Sequence, residues 1–78
     1  MHYAIAKRAY DGHSATYVTA IKRRGLSIDS KRIFDERLAA ESWNVRKWAT
    51  EDKAAAALAV LADVGGYDDY IVVTLPGA

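Results

Sequence analysis

The mostly apolar stretches from His2 to Ala9 and from Ala15 to Arg23 each give way to charge at their ends, and both read as strands. Between them lies Tyr10-Asp11-Gly12-His13-Ser14. Asp-Gly suits a type I′ hairpin turn, whose two central residues both need positive φ. A turn at Asp11-Gly12 sets Ile5 opposite Val18 and Tyr3 opposite Ala20 on one face. It sets Ala6 opposite Tyr17 and His2 opposite Ile21 on the other. The first set makes the better core face. A rival pattern caps a helix at Ser14, with Tyr17, Val18 and Ile21 on one stripe and Gly25 past its end. The β-branched and aromatic run Thr16-Tyr17-Val18-Thr19 favours the hairpin.

From Asp29 to Ser42 the period changes. Ile33, Phe34 and Leu38 fall at helical spacing, with Asp29 or Ser30 as N-cap, although Arg32-Ile33-Phe34 also fits a short third strand. Both readings stay open. Trp43-Asn44-Val45-Arg46-Lys47-Trp48 follows, and its bulky Val45 and Trp48 suit a short edge strand or an extended lead into a helix. Thr50 is a natural N-cap, Glu51 and Asp52 complement the positive end of a helix dipole, and Ala54 to Ala62 is nearly all strong helix former. Ala54, Leu58 and Leu61 share a stripe, with Ala57 and Val64 beside it, so this helix is expected to lie close on a sheet. Gly65-Gly66 stops it. Tyr70 to Leu75 is apolar at both alternating sets of positions, which predicts a strand with neighbours on either side and cover on both faces, ended by Pro76. The expected fold is therefore a single α+β domain over residues 1–78: a small antiparallel or mixed sheet, made of the N-terminal hairpin and the C-terminal strand, packed against one or two helices.

With 78 residues, about half of them hydrophobic, the chain can build only a thin core. The net charge of +1 conceals a division. Through Arg32 the chain carries Lys7, Arg8, Lys22, Arg23, Arg24, Lys31 and Arg32 against only Asp11 and Asp29; beyond it, eight carboxylates face four basic residues. Such asymmetry points to a charged partner unless folding interleaves the halves. There is no cysteine, and the histidines are His2 and His13, so disulfide frameworks and Cys/His zinc sites are excluded. No basic flank leads into an apolar run at the N-terminus, and no stretch nears the ~20 apolar residues of a membrane span, so a cytoplasmic location is expected.

Catalytic patterns are weak. His13 and Ser14 adjoin in a turn without the third group that orients a nucleophile's base. Asp35, Glu36 and Glu41 read as a solvated face rather than as a buried general acid. Asp68-Asp69 lacks further ligands, and Gly65-Gly66 follows a helix whereas phosphate loops precede one. Neither an enzyme nor a bound cofactor or metal is expected. Binding has more support. Arg8, Tyr17, Arg23, Arg24, Lys31 and Arg32 combine phosphate-seeking charge with an aromatic ring for stacking, on a face shared by His2, Arg8, Tyr17, Ile21 and Arg23. Trp43 and Tyr67, with Asp68 and Asp69, offer aromatic anchors and an acidic edge for a protein partner.

An N-terminal hairpin, Lys47-Trp48-Ala49-Thr50, an alanine-rich helix and a closing Tyr70-Ile71-Val72-Val73 strand resemble small stand-alone proteins encoded by bacteriophages and prophages, several of which are anti-CRISPR proteins. The resemblance is one of residue types and transfers no functional residue. It implies a non-enzymatic inhibitor in the cytoplasm of a bacterial host that binds a CRISPR effector complex and blocks DNA binding or nuclease recruitment. The alternative is a small nucleic-acid-binding or transcription-accessory protein using the basic half. A subunit assembling through an exposed strand at Val45 is a third class, and either a monomer or a small homo-oligomer fits.

Overall fold

The computed structural model describes residues 1–9 and 14–76. The two predicted stretches form strands β1 (His2–Arg8) and β2 (Ala15–Lys22), paired antiparallel with Ala6 opposite Tyr17. That is the register a turn at Asp11-Gly12 requires, and β2 displaces the helix capped at Ser14. The turn residues themselves lie outside the described residues. Strand β3 (Ser27–Ile33) pairs with β2, and β4 (Ile71–Leu75) pairs with β1, giving one antiparallel sheet in the order β3-β2-β1-β4.

Helix α1 (Glu36–Glu41) lies on one face and helix α2 (Glu51–Gly65) on the other, so the sheet is covered on both sides. Ala4, Ala6, Ala15, Tyr17, Ile33 and Leu75 pack with Ala39 and Val45 on the α1 side. Ile5 and Val18 pack with Leu61 on the α2 side, joined by the partly buried Ile21, Ile28, Trp48, Leu58 and Tyr70. Burying Ile5 and Leu61 completely contributes ~1.5–3 kcal/mol for each side chain. Ile5 and Val18 on one face and Ala6 and Tyr17 on the other are thus buried, whereas His2 is exposed. The expected pairings of Tyr3 with Ala20 and of His2 with Ile21 are absent, because the ladder stops at Ala6–Tyr17 and Tyr3 pairs with Trp48. Tyr17, expected on an outward face, is only 5% exposed because α1 and the following loop cover it.

A bulge decides which side chains reach α2. Val18 pairs with Ser30 but Ala20 with Asp29, so Thr19 is the extra residue. Regular alternation would send Val18 and Ile21 to opposite faces, and the inserted residue brings them to the same one. Ile21 then lies beside its cross-strand partner Ile28, both against the α2-side cluster. The β2–β3 connection is a single 3-10 turn, Arg23–Gly25, in which Arg23 (φ 53°), Arg24 (φ 56°) and Gly25 (φ 101°) all have positive φ. Left-handed geometry costs each arginine ~1–2 kcal/mol.

Three expectations are corrected. Asp29, Ser30 and Ile33 belong to β3, because the ladder to β2 claims their backbone; the helix starts only at Glu36, with Asp35 as its cap (Arg37 N to Asp35 Oδ1, 2.8 Å). Phe34 and Leu38 consequently point outward rather than into a core. The Trp43 to Trp48 segment is not an edge strand. Arg46 N donates to Val18 O (3.0 Å), while Tyr3 and Trp48 exchange both of their backbone bonds (2.9 and 2.8 Å), so this segment wedges between β1 and β2 where they splay. Val45 is accordingly buried, which removes the exposed strand proposed for assembly. Finally, β4 has a strand neighbour on one side only. Its apolar residues at both parities reflect helices on both faces, not a central position.

Helix α2 follows the expected bounds. Thr50 Oγ1 accepts from Lys53 N (3.3 Å), and Gly66 (φ 72°) turns the chain in the left-handed conformation while Tyr67 N returns to Leu61 O (3.2 Å). Among the described residues no helix is long and apolar enough to cross a membrane.

Candidate functional site

The α1 face is incompletely covered. Helix α1 packs with Ala4 and Leu75 through Ala39 and leaves an open cleft of about 640 Å³ beside its first residue, Glu36. Ala15, Tyr17 and Ile33 supply its sheet side, and Ile71 to Thr74 contribute the β4 side. Arg8 enters from the end of β1, and Phe34, Asp35 and Glu36 close it from the start of α1. The register explains the grouping. Arg8, Ala15 and Ile33 form one cross-strand row, and Ile71, Ala6, Tyr17 and Lys31 form the next.

Tyr17, only 5% exposed, is among the residues that line this cleft. Burial pushes its phenol above the usual tyrosine range, Glu36 and Asp35 push it further, and Arg8 opposes them. At neutral pH the group is a hydroxyl able both to donate and to accept a hydrogen bond. Beside the cleft, Arg32 Nε donates to Ser14 Oγ (3.0 Å), and its guanidinium lies 5.5 Å from the centre of the Phe34 ring. This arrangement offers a polar recess with a cation on one wall and carboxylates on another.

The anticipated binding residues do not converge on one place. Arg8 and Tyr17 meet in the cleft with Arg32 adjoining it, while Lys31 is exposed on β3 opposite Tyr17. Arg23 and Arg24 occupy the turn at the far end of β2, next to α2. Trp43 follows α1 and is 90% exposed. Tyr67 packs against the α2-side cluster and meets Tyr70 edge to face (ring centres 5.9 Å apart), so it serves the interior. Asp68 and Asp69 are exposed before β4, and Asp69 lies 3.9 Å from Lys7. Folding therefore interleaves the basic and acidic halves, as the central position of β1 between β2 and β4 requires.

Phe34, Asp35, Glu36 and Ile71 were not singled out for binding from the sequence. Phe34 and Ile71 looked like interior residues and the two carboxylates like a solvated helix face. The available signal was the cap: Asp35 two residues after Ile33 places a break between strand and helix at that point. No protein-family model matches the chain, and no curated protein or solved structure matches it.

Proposed function

We propose that this chain is a non-enzymatic binding protein that meets a protein partner through its α1 face. The observation that carries the reading is Trp43, 90% exposed, in company with Phe34 (67%) and Leu38 (57%) on the short stretch that includes α1. Large apolar side chains held in water beside charged groups are what a binding surface presents, and tryptophan is prominent among residues that dominate interface energies. Arg8, Asp35 and Glu36 in the adjacent cleft add charges that orient a partner.

The concrete form of this proposal, taken from the resemblance to phage-encoded inhibitors, is an anti-CRISPR protein acting in the bacterial cytoplasm by occluding a CRISPR effector complex. The test is capture of a purified effector complex by the immobilised chain, followed by measurement of the complex's DNA binding at saturation. Capture with loss of DNA binding or of nuclease recruitment supports the proposal. A saturated complex that still binds DNA and recruits its nuclease removes the occlusion mechanism, and absence of capture from every effector type removes this partner.

A second reading rests on the exposed Arg23-Arg24 turn, a pair of neighbouring basic side chains suited to phosphates. Burial of Tyr17 counts against stacking by that residue. Retention of a DNA or RNA probe with steep salt dependence, lost in an Arg23→Ala/Arg24→Ala variant but kept in Trp43→Ala, would favour nucleic acid over protein.

A further inference from the structure

The two edges of the sheet differ in kind. Along β3 the side chains include Asp29, Lys31 and Arg32, whereas β4 reads Ile-Val-Val-Thr-Leu without a charge. Charged edges discourage strand addition, and uncharged β-branched ones invite it. Backbone directions sharpen the contrast. Tyr3 directs both its N–H and its C=O to Trp48, away from β4, so the even residues of β1 serve the β4 ladder. Ala4 and Ala6 therefore bond Val73 and Ile71. The N–H and C=O of Val72 and Thr74 point outward, where they meet no backbone partner among the described residues.

We propose that β4 is a homodimer interface, in which the outer edge of Ile71–Leu75 pairs antiparallel with the same strand of a second copy. A two-fold axis at Val73 sets Val72 against Thr74 of the second copy, Thr74 against its Val72, and Ile71 against its Leu75. Every outward backbone group of Val72 and Thr74 is then satisfied, no like charges face each other, and Ile71, 44% exposed in the single chain, is covered. On β3 the same operation sets Lys31 against its own copy when centred on Lys31 and Asp29 against its own copy when centred on Asp29, whereas the register centred on Ser30 avoids like charges. The uncharged β4 edge carries no such restriction on pairing with its own copy.

This pairing has a consequence for the cleft. Ile71 to Thr74 border it, and a two-fold axis perpendicular to the sheet keeps both α1 layers on one side. One sheet then runs through both copies, with two clefts flanking the axis, each keeping its Arg8, Asp35 and Glu36. The dimer presents paired copies of the α1 face to a partner, and it stands or falls independently of that partner's identity.

Sedimentation equilibrium from ~1 µM to ~1 mM, the range expected for a small interface, reads the association directly. The expected result is a mass rising toward twice 8.6 kDa in the wild type. Thr74→Pro removes an outward N–H and places a ring on the edge, so it is expected to remain at the monomer mass throughout. Amide exchange in the wild type provides the second measurement and needs no variant. The Val72 and Thr74 amides should slow at least tenfold between the dilute and concentrated samples, with the outward Ser30 and Arg32 amides of β3 unchanged. A wild type that stays monomeric overturns the proposal and leaves β4 to an extended segment of another protein. Dimerisation with no added protection at Val72 and Thr74 overturns it equally.

Discussion

The carbonyl oxygen of Gly25 occupies the space that a Cβ on Gly65 would need, so the β2–β3 turn and the end of α2 touch through two residues without side chains. A Cβ on Gly65 would also stand 2.6 Å from the Tyr67 ring, and one on Gly25 would stand 2.9 Å from Val60 Cγ1. Gly66 is different. It has positive φ (72°) but nothing within 4 Å of a Cβ position. Helix propensity alone would make Gly65→Ala stabilising by ~1 kcal/mol. The collision with backbone reverses the sign, and Gly65→Ala is expected to destabilise the fold by ~1–3 kcal/mol. Gly66→Ala carries only the left-handed cost of ~1–2 kcal/mol. Urea unfolding of the two variants and of their combination checks this. A Gly65→Ala variant as stable as wild type would mean that the turn and α2 do not approach this closely.

The wedge between β1 and β2 makes a prediction that ordinary strand assignment would miss. Arg46 and Trp48 lie outside any strand, yet their amides bond Val18 O and Tyr3 O in the middle of the sheet. Native-state exchange should show both amides protected to nearly the level of global unfolding, far above Trp43 or Ala49 in the same connection. Fast exchange at Arg46 and Trp48 would show that the segment lies over the sheet rather than in it.

These particulars mark where the amino-acid pattern was legible. Helix α2 was readable because local signals agreed: Thr50 as cap, the alanine run, and Gly66 as stop all act within a few residues. The β1–β2 register near the turn, down to Ala6 opposite Tyr17, was readable from the spacing about Asp11-Gly12, but the splay beyond it was not. The middle third was not, because Asp29 and Ser30 are plausible helix caps whose backbone is claimed by β2, a partner remote from any local signal. The Thr19 bulge and the Trp48 insertion are likewise decided by tertiary pairing. For the candidate site, Arg8 and Tyr17 were named from charge and aromaticity, whereas the cleft that joins Arg8 to Glu36 depends on how the start of α1 packs against β4 and β1, and no residue type announces that.

Tyr17 links the cleft to a pH dependence. Its folded pKa is raised, so the folded state holds the phenolic proton more tightly than the unfolded chain, whose tyrosine titrates near ~10. The stability associated with this group is fully present below that value and is lost as pH rises through the folded pKa. Stability measured at pH 9 and above pH 10 should fall less in Tyr17→Phe than in the wild type. Removing the carboxylate that contributes most among the nearby charges, with Glu36→Gln, should lower the Tyr17 pKa toward its ordinary range in a spectroscopic phenol titration. An unchanged titration in Glu36→Gln would place the carboxylate too far away to act.

The two bulky residues at either side of Asn44 separate folding from binding. Trp43 is 90% exposed and Val45 is 3% exposed, although the same short connection carries both. Trp43→Ala removes almost no buried surface, so its unfolding free energy should stay within ~0.5 kcal/mol of wild type. Val45→Ala opens a cavity beside Ala39 and Tyr17 and should cost about 2 kcal/mol. Under the proposed function the order inverts for partner affinity. Trp43→Ala should weaken capture of an effector complex at least tenfold, the loss of about 1.4 kcal/mol or more that marks an anchoring residue. Val45→Ala, assayed where it remains folded, should bind within about threefold of wild type, the factor left by a change of roughly 0.6 kcal/mol. Titration calorimetry with both variants against one captured complex gives the comparison, and equal affinity for Trp43→Ala and wild type would move the contact surface away from the α1 face.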